Sequence, residues 1–358
     1  MKRKLLTLAI SALLCFSIAG CAESIEEHRL YTRYQRIFYD TLDTFIVVLG
    51  YAQNQAEFEQ WMEIVHSELH RLHMLFDIHN NYDGINNLKT INDNAGISPV
   101  EVDSAIIDLL EFAKSAYSDS GGSVNVALGS VLSIWHRYRQ EGMVSPQTAA
   151  LPSMELLSAA MEHTQISYMI IDRQQSTVFL KDDGMSLDAG ALAKGFALQR
   201  AVDAAREHGF SSGLINGGGD IIVVGAPMSE RDHWIVGVNN PMAASAYGQT
   251  SAPYDALILS GDMAVATSGG YQRYFVVSGR RYSHIIDPAT LLPADRYLSV
   301  TVVHPDINIA EMLSTAAFIL PLEQGVELVE RHNAQAIWIL NDGSSAMTAG
   351  YSAISQNF

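Results

Sequence analysis

Cysteine is almost absent from this sequence of 358 residues. The two cysteines, Cys15 and Cys21, both lie close to the N-terminus. We expect Cys15 to be removed with a targeting segment, so Cys21 would have no partner for an internal disulfide. The core must therefore be stabilised by burial and packing, for which the remaining chain is long enough.

Positive charge is also scarce. Lysine and arginine total 22 against 39 aspartates and glutamates, a formal net charge of −17. Removal of the basic residues near the N-terminus would make it about −20. Such a surface repels nucleic-acid phosphates and anionic headgroups, which excludes nucleic acid as a partner. A phosphorylated ligand would need a local source of positive charge: a metal ion, a lysine or a helix N-terminus.

The longest apolar run, over residues 5–19, is too short to span a bilayer. It follows three basic residues at positions 2–4 and ends in small residues before Cys21. This pattern predicts a lipoprotein signal peptide over residues 1–20 and a lipid-modified Cys21. We therefore expect anchoring in the cell membrane on its extracytoplasmic face. An ordinary secretory signal and a membrane-buried signal anchor are the alternatives.

No repeat and no linker rich in proline, glycine or serine divides the chain. Residues 21–35 are polar and predict a tether, and residues 36–358 predict one catalytic domain. Helices and strands mix without strict alternation, which indicates an α+β fold. Apolar spacing predicts helices over residues 57–75, 103–117, 192–208, 309–320 and 322–332. Strands are predicted over residues 44–49, 169–171, 177–180, 213–215, 220–224, 234–238, 256–259, 274–277, 297–303 and 336–340.

A phosphate-binding segment is predicted at residues 188–195, between the end of a strand and the start of a helix. Its small residues let the backbone approach a ligand, and free N–H groups at a helix start favour phosphate. Lys194 adds a positive charge and Asp188 a hydrogen-bond acceptor. The alternative is a capped helix whose small residues serve packing.

Glu311 and Thr315 stand four residues apart and so share one face of a predicted helix. A carboxylate beside a hydroxyl suits a hard, oxygen-preferring cation such as Mg²⁺. The alternative is a solvated glutamate beside a buried threonine.

His284 follows a predicted strand and is a candidate general base, because the pKa of histidine lies near working pH. We expect an adjacent carboxylate such as Asp287 to orient it; the alternative is a structural histidine. The composition of residues 266–271 predicts a turn whose hydroxyls and backbone N–H groups could bind phosphate. A plain loop is an equally good interpretation.

Two patterns suggest chemistry that we do not assign. His66, His70 and His73 share one helix face and resemble a zinc site, but we interpret them as a surface stripe. Residues 217–219 are three glycines without the spacing of a dinucleotide-binding loop, and they predict a tight turn between strands.

The order of these segments resembles the ApbE family of FAD:protein FMN transferases from about residue 38 to residue 350. The blocks that carry the resemblance are Asp43-Thr44, Phe76-Asp77-Ile78-His79-Asn80, Ile85-Asn86-Asn87, Ile91-Asn92, Gly122-Ser123-Val124-Asn125-Val126-Ala127, Trp135, residues 188–195, Asn216-Gly217-Gly218, Thr267-Ser268-Gly269, His284-Ile285-Ile286-Asp287-Pro288 and Ser314-Thr315-Ala316.

The resemblance implies a single mixed α/β domain of the T-fold-like ApbE type. It implies Mg²⁺-dependent transfer of FMN from FAD to a threonine of an acceptor protein, with release of AMP and His284 as the catalytic residue. FAD would contact Leu42, His79, Asn125, Asp188, Lys194 and His284. Mg²⁺ would be held by the Ala191 carbonyl, Glu311 and the Thr315 hydroxyl.

The acceptor implied by the family is a subunit of a membrane electron-transport complex, such as a sodium-pumping quinone reductase. Two alternatives use the same residues. A Mg²⁺-dependent FAD pyrophosphatase would use water as the acceptor, and a non-catalytic flavin-binding lipoprotein would hold FAD intact.

The chain departs from the family pattern at four positions. Glu311 replaces the usual aspartate, and Ala191 stands where glycine is frequent. Leu291 replaces the glycine of an Asp-Pro-x-Thr-Gly turn, and Gly270 stands where a Ser-Gly-Asp-Tyr motif has aspartate.

Overall fold

The computed structural model describes residues 30–243 and 252–358. The predicted signal peptide, Cys21 and the first part of the predicted tether lie outside these residues. Within the described segments, no helix combines the length and the apolar character needed to cross a membrane. The first strand begins at Thr32 and pairs in register with the second. Residues 32–35 therefore belong to the folded domain, and the predicted tether ends sooner than expected.

Fifteen strands are present in the described residues. They are β1 (Thr32–Thr41), β2 (Thr44–Ala52), β3 (Val100–Glu101), β4 (Met169–Asp172), β5 (Thr177–Leu180), β6 (Gly213–Gly217), β7 (Asp220–Val224), β8 (Trp234–Val238), β9 (Asp255–Leu259), β10 (Met263–Gly269), β11 (Tyr274–Val277), β12 (Arg280–Ser283), β13 (Tyr297–His304), β14 (Gln335–Leu340) and β15 (Ser345–Met347). Eight of them form an antiparallel sheet in the order β1-β2-β6-β7-β10-β13-β14-β15.

Eight α-helices accompany these strands in the same part of the chain. They are α1 (Gln55–Phe76), α2 (Leu88–Asp93), α3 (Ser104–Asp119), α4 (Gly129–Val144), α5 (Met154–Met161), α6 (Ala193–Arg206), α7 (Ile307–Ile319) and α8 (Leu322–Arg331). Helices α1, α6 and α7 cover one face of the large sheet, and the β8–β9 pair covers the other.

Strand β7 shows how both faces of the sheet are buried. Ile222 and Val224 join the core beneath the helices, whereas Ile221 and Val223 pack against the β8–β9 pair. This alternation follows from the two-residue period of a strand. Trp338 on β14 is fully buried and donates from Nε1 to the Ala317 carbonyl at 3.1 Å, which ties α7 to the sheet.

The α+β fold predicted from the sequence is confirmed. Each helix and strand for which a residue range was predicted is present, with ends shifted by at most three residues. Helix α4 was not predicted, because its buried residues, Gly129, Val131, Trp135 and Gly142, form no regular apolar stripe.

Two local expectations are wrong. Residues 266–271 do not form a turn, since most of them lie in β10, which pairs with both β7 and β13. Their small and hydroxylic side chains resemble a loop, but residues 266–269 pair with β13 along their length, which fixes an extended backbone. The segment before Asp188 is also not a strand, since β5 ends at Leu180. The predicted tight turn at residues 217–219 is confirmed, with φ of +64° at Gly218 and +106° at Gly219.

A smaller apolar cluster joins α4 and α5 to the β11–β12 hairpin and explains one departure from the family pattern. Leu291 has φ +62°, a left-handed conformation that costs a non-glycine residue roughly 1–2 kcal/mol. Its side chain is only 7 % exposed, and burial of a leucine contributes about 1.5–3 kcal/mol. The Leu291 carbonyl also accepts a hydrogen bond from Trp135 Nε1 at 2.9 Å. Packing therefore offsets the strain that glycine would avoid.

Candidate active site

A cleft of about 450 Å³ opens where the β6–β7 turn, the end of β10 and the starts of α6 and α7 meet the β1–β2 turn. All nine residues singled out from the sequence line it: Leu42, His79, Asn125, Asp188, Ala191, Lys194, His284, Glu311 and Thr315. The fold thus brings together residues separated by up to 273 positions in the chain.

A buried cluster of charges occupies the floor of the cleft. The Lys194 ammonium contacts the Asp220 carboxylate directly and lies 3.8 Å from Glu311 Oε1. Asp220 is 2 % exposed, and its Oδ1 accepts from the Thr267 N–H at 3.4 Å. Burial lowers the pKa of Lys194, against the opposing effect of Glu311, and the charge of Arg273 lowers it further. Asp220 was missed in the sequence, where only its place after the glycine turn distinguishes it.

Glu311 is buried, so the alternative of a solvated glutamate is wrong. It is 5 % exposed, and its Oε2 accepts from the Gly195 N–H at 2.9 Å. Burial raises the pKa of the Glu311 carboxyl, and Lys194 opposes that shift. A methyl group at Gly195 would lie 2.9 Å from the same oxygen. The first turn of α6 therefore fixes the carboxylate, and only glycine leaves room for it.

Hydroxyl groups from β10 and α7 line the same cleft as this carboxylate. Ser268 Oγ lies 2.9 Å from Ser314 Oγ and 3.3 Å from Thr315 Oγ1. Among the described residues, no three His, Cys, Asp or Glu side chains are grouped closely enough to hold a metal by themselves. A cation here would therefore depend on one carboxylate together with neutral hydroxyl and carbonyl oxygens, a donor set that suits Mg²⁺ better than zinc.

Asp188 is held in place on the opposite wall. Its Oδ1 accepts from the Gly190 N–H at 2.9 Å, and its backbone N–H donates to the Val126 carbonyl at 2.8 Å. The second oxygen lies 4.0 Å from His136 Nε2. Asp188 therefore keeps one carboxylate oxygen available to a ligand.

Asn125 uses its side chain within the protein. Oδ1 accepts from the Ala127 N–H at 2.9 Å, and Nδ2 donates to the Thr164 carbonyl at 3.1 Å. His79 lies in an exposed loop that Asp77 organises, since Asp77 Oδ1 accepts from the His79 N–H at 2.6 Å. Although burial raises the pKa of Asp77, the donors around it hold that pKa below the ordinary value.

Leu42 forms the β1–β2 turn together with Asp43. Both have positive φ, +54° and +50°, as a two-residue type I′ hairpin turn requires. The Leu42 N–H donates to His73 Nδ1 at 3.3 Å, and His66 pairs with Asp40 at 3.0 Å. Two of the three histidines of α1, His66 and His73, thus have hydrogen-bond partners within the protein.

His284 is oriented by a backbone carbonyl rather than by Asp287. Its Nδ1 and its backbone N–H each lie 3.1 Å from the Arg273 carbonyl. Because a carbonyl only accepts, Nδ1 carries the proton and Nε2 keeps a free lone pair. Asp287 instead accepts from the Ala289 N–H, so the expectation for Asp287 is wrong. Burial, together with Arg273 and Arg139, lowers the pKa of His284 to about 4.

Three further basic residues that were not predicted line the cleft: His136, Arg139 and Arg273. His136 and Arg139 stand three residues apart on α4, whose existence was not foreseen. Burial lowers the pKa of the His136 imidazole, while Asp188 opposes that shift. The three-residue spacing of His136 and Arg139, which puts them on one helix face, is the signal that the sequence offered for these two residues.

The chain is similar to known proteins in sequence and in fold. The model of the ApbE family matches residues 40–338. The FAD:protein FMN transferase of Treponema pallidum (strain Nichols) is 34 % identical over 278 residues, which cover 74 % of this chain and 73 % of that protein. The FAD:protein FMN transferase of Klebsiella pneumoniae (strain 342) is 33 % identical over 251 residues, 70 % of this chain and 73 % of its own.

Two solved structures share the fold. The crystal structure of the ApbE protein of Thermotoga maritima MSB8 superposes with a TM-score of 0.78 at 26 % identity and covers 90 % of this chain and 99 % of its own. The flavin transferase ApbE of Vibrio cholerae gives a TM-score of 0.74 at 20 % identity, with the same coverage.

Replacing Asp220 with asparagine should destabilise the protein by roughly 3 kcal/mol, because it leaves the Lys194 ammonium with one distant carboxylate in a buried site. The free energy of unfolding from urea titration measures this loss. The control is Asp262→Asn, which removes the carboxylate of an exposed pair with Arg206 (2.7 Å, Asp262 57 % exposed) and should cost less than about 1 kcal/mol. Equal losses for the two variants would mean that the buried cluster contributes no special stability.

Proposed function

The chain belongs to the ApbE family, and from this premise we propose that it transfers FMN from FAD to a threonine side chain of an acceptor protein, in a Mg²⁺-dependent reaction that releases AMP. It is an enzyme, an FAD:protein FMN transferase. The observation that carries the proposal is the convergence of Lys194, Glu311, Thr315 and His284 on one cleft.

Mg²⁺ would be held by the Glu311 carboxylate, the Thr315 hydroxyl and the Ala191 carbonyl. The donor set supports this assignment, since all three are oxygens and the carboxylate is already oriented by the Gly195 N–H. When bound, the ion would neutralise charge on the diphosphate and on the leaving AMP. Glutamate has one more methylene than aspartate. Because Gly195 has no side chain, α6 leaves room for this longer carboxylate.

The residues of the chain itself account for binding and proton transfer. Lys194 faces the phosphates from the cleft floor, and the Asp188 oxygen that is not bonded to Gly190 can accept from the substrate. The acceptor hydroxyl attacks the flavin-side phosphorus, forming a new P–O bond. The bond from that phosphorus to the bridging oxygen breaks, and AMP leaves. His284 Nε2 takes the hydroxyl proton, since its lone pair is free and its imidazole is neutral at working pH.

We further propose that the protein is anchored by a lipid on Cys21 at the extracytoplasmic face of the cell membrane. There it would meet its acceptor, a subunit of a membrane electron-transport complex. The basic start, the short apolar run and the small residues before Cys21 support the anchor. Growth with a radiolabelled fatty acid should label the natural protein and not Cys21→Ala. An unlabelled natural protein, or equal labelling of both, contradicts the anchor.

Incubation of the protein with FAD, Mg²⁺ and a threonine-containing acceptor domain should increase the mass of that domain by one phosphoflavin group. Glu311→Gln, which keeps an oxygen for the Gly195 N–H but lacks the charge, should reduce the rate by at least about 100-fold. Mass spectrometry of the acceptor measures both results.

The matched control is Glu323→Gln, an exposed glutamate in the first turn of α8, which should transfer at the natural rate. Free FMN and AMP with an unlabelled acceptor would identify a pyrophosphatase, and intact FAD would identify a binding protein. Transfer by Glu311→Gln at the natural rate would sink the metal assignment.

The pH dependence of kcat/KM should be flat between about pH 5 and 7. The base must be neutral, and the pKa of His284 is about 4, so protonation inactivates it only below that range. An ordinary histidine would instead lose activity below about pH 6.5. The rate of acceptor labelling across this range, with fluorescence to verify folding at each pH, measures the profile.

His284→Gln is the companion variant and should lose transfer while retaining FAD binding. The prediction is contradicted if kcat/KM of the natural protein falls with a midpoint near pH 6.5 while the protein remains folded. The base would then be a different group or a histidine with an ordinary pKa.

A further inference from the structure

Two arginines face the cleft without an acidic partner. Within residues 30–243 and 252–358, the ion pairs within 4 Å that involve arginine include neither Arg139 nor Arg273. Arg273 Nη2 donates to the Asp43 carbonyl at 3.4 Å. Six other arginines do have an acidic partner within 4 Å: Arg36, Arg71, Arg173, Arg200, Arg206 and Arg280. The cleft therefore contains positive charge that the protein itself leaves uncompensated.

These arginines also repel one another and their neighbours. Burial lowers the pKa of Arg139, and the charge of Arg273 lowers it further. The same two arginines lower the pKa values of His136 and His284. Asp188 is the acidic group that opposes this repulsion, and it lies 4.0 Å from His136. A folded chain that concentrates like charges in a partly closed cleft provides a site for an anion.

The position of the pair relative to His284 identifies the anion. The Arg273 carbonyl holds the His284 ring, and both Arg273 and Arg139 line the same cleft as His284. The charges of both arginines lower the pKa of His284 and so act on the candidate base. Lys194, in contrast, is already neutralised by Asp220 and Glu311 at the cleft floor. Guanidinium groups match the geometry of phosphate oxygens and bind them through paired hydrogen bonds.

We propose that Arg139 and Arg273 form an anion subsite for the flavin-side phosphoryl group, separate from the Lys194–Glu311 end of the cleft. This inference rests on the proposed function, because FAD supplies the diphosphate. The subsite holds the phosphorus that is attacked next to His284, whereas the cleft floor holds the part of the diphosphate that leaves. The subsite requires no metal, so FMN alone, which carries only the flavin-side phosphate, binds through it.

The experiment compares FMN with riboflavin, which differ by that phosphate, in the presence of EDTA. The natural protein should bind FMN at least about tenfold more tightly than riboflavin. Arg139→Gln and Arg273→Gln should each weaken FMN binding about tenfold or more and leave riboflavin binding within about twofold. Flavin fluorescence quenching measures each dissociation constant, and unchanged riboflavin binding shows that the variants are folded.

Arg137→Gln is the matched control, since Arg137 lies on the same helix, is exposed, and stacks over the Tyr138 ring at 5.6 Å. It should bind both flavins as the natural protein does. The subsite is refuted if the natural protein binds FMN no better than riboflavin, binds no FMN, or loses FMN affinity equally in Arg137→Gln. It is refuted too if both cleft variants bind FMN normally. If the protein does not transfer FMN to the acceptor but still binds FMN more tightly than riboflavin, the transferase function is overturned and the subsite is retained.

Discussion

The contact of Lys194 with Asp220 and Glu311 is the interaction on which the cleft depends. The three side chains come from the start of α6, the start of β7 and the second turn of α7. Each is partly or wholly withdrawn from water, and each would be strongly unfavourable in that position without the others. The cluster therefore couples the helical layer to the sheet and fixes the cleft floor at the same time.

That internal pairing also divides the cleft into two electrostatic regions. The floor carries no excess positive charge, because one lysine meets two carboxylates, and its oxygens favour a hard cation. The α4 side holds Arg139, Arg273 and two histidines with Asp188 as the nearby acid. A protein with a net charge of −17 thereby presents positive charge to a diphosphate inside the cleft, where solvent and salt screen it less than on the open surface.

The sequence allowed much of this arrangement to be predicted where the signal is local. Helical spacing placed Glu311 and Thr315 on one face, and the small residues before α6 marked the approach of Lys194. Features made by distant contacts could not be foreseen. Asp220 meets Lys194 because α6 packs against β7 in the folded protein. Arg139 lies on a helix without a regular apolar stripe.

The orientation of His284 illustrates the same limit. Sequence proximity favoured Asp287, but the partner is the carbonyl of Arg273, on the far side of the β11–β12 hairpin. The glycine turn at residues 217–219 was predicted correctly because glycine favours the positive φ that the turn needs. The composition of residues 266–271 also favours a turn, but that prediction was wrong because most of these residues pair with β13 as part of β10.

The base of the β11–β12 hairpin has a consequence for variation within the family. Main-chain atoms of residue 273 hold the imidazole, and the two strands close against each other in four paired positions before reaching a tip at Ser278 and Gly279. The orientation of the imidazole is therefore set where the hairpin leaves the domain. A change in the sequence or length of the tip is therefore compatible with an unchanged orientation of the imidazole.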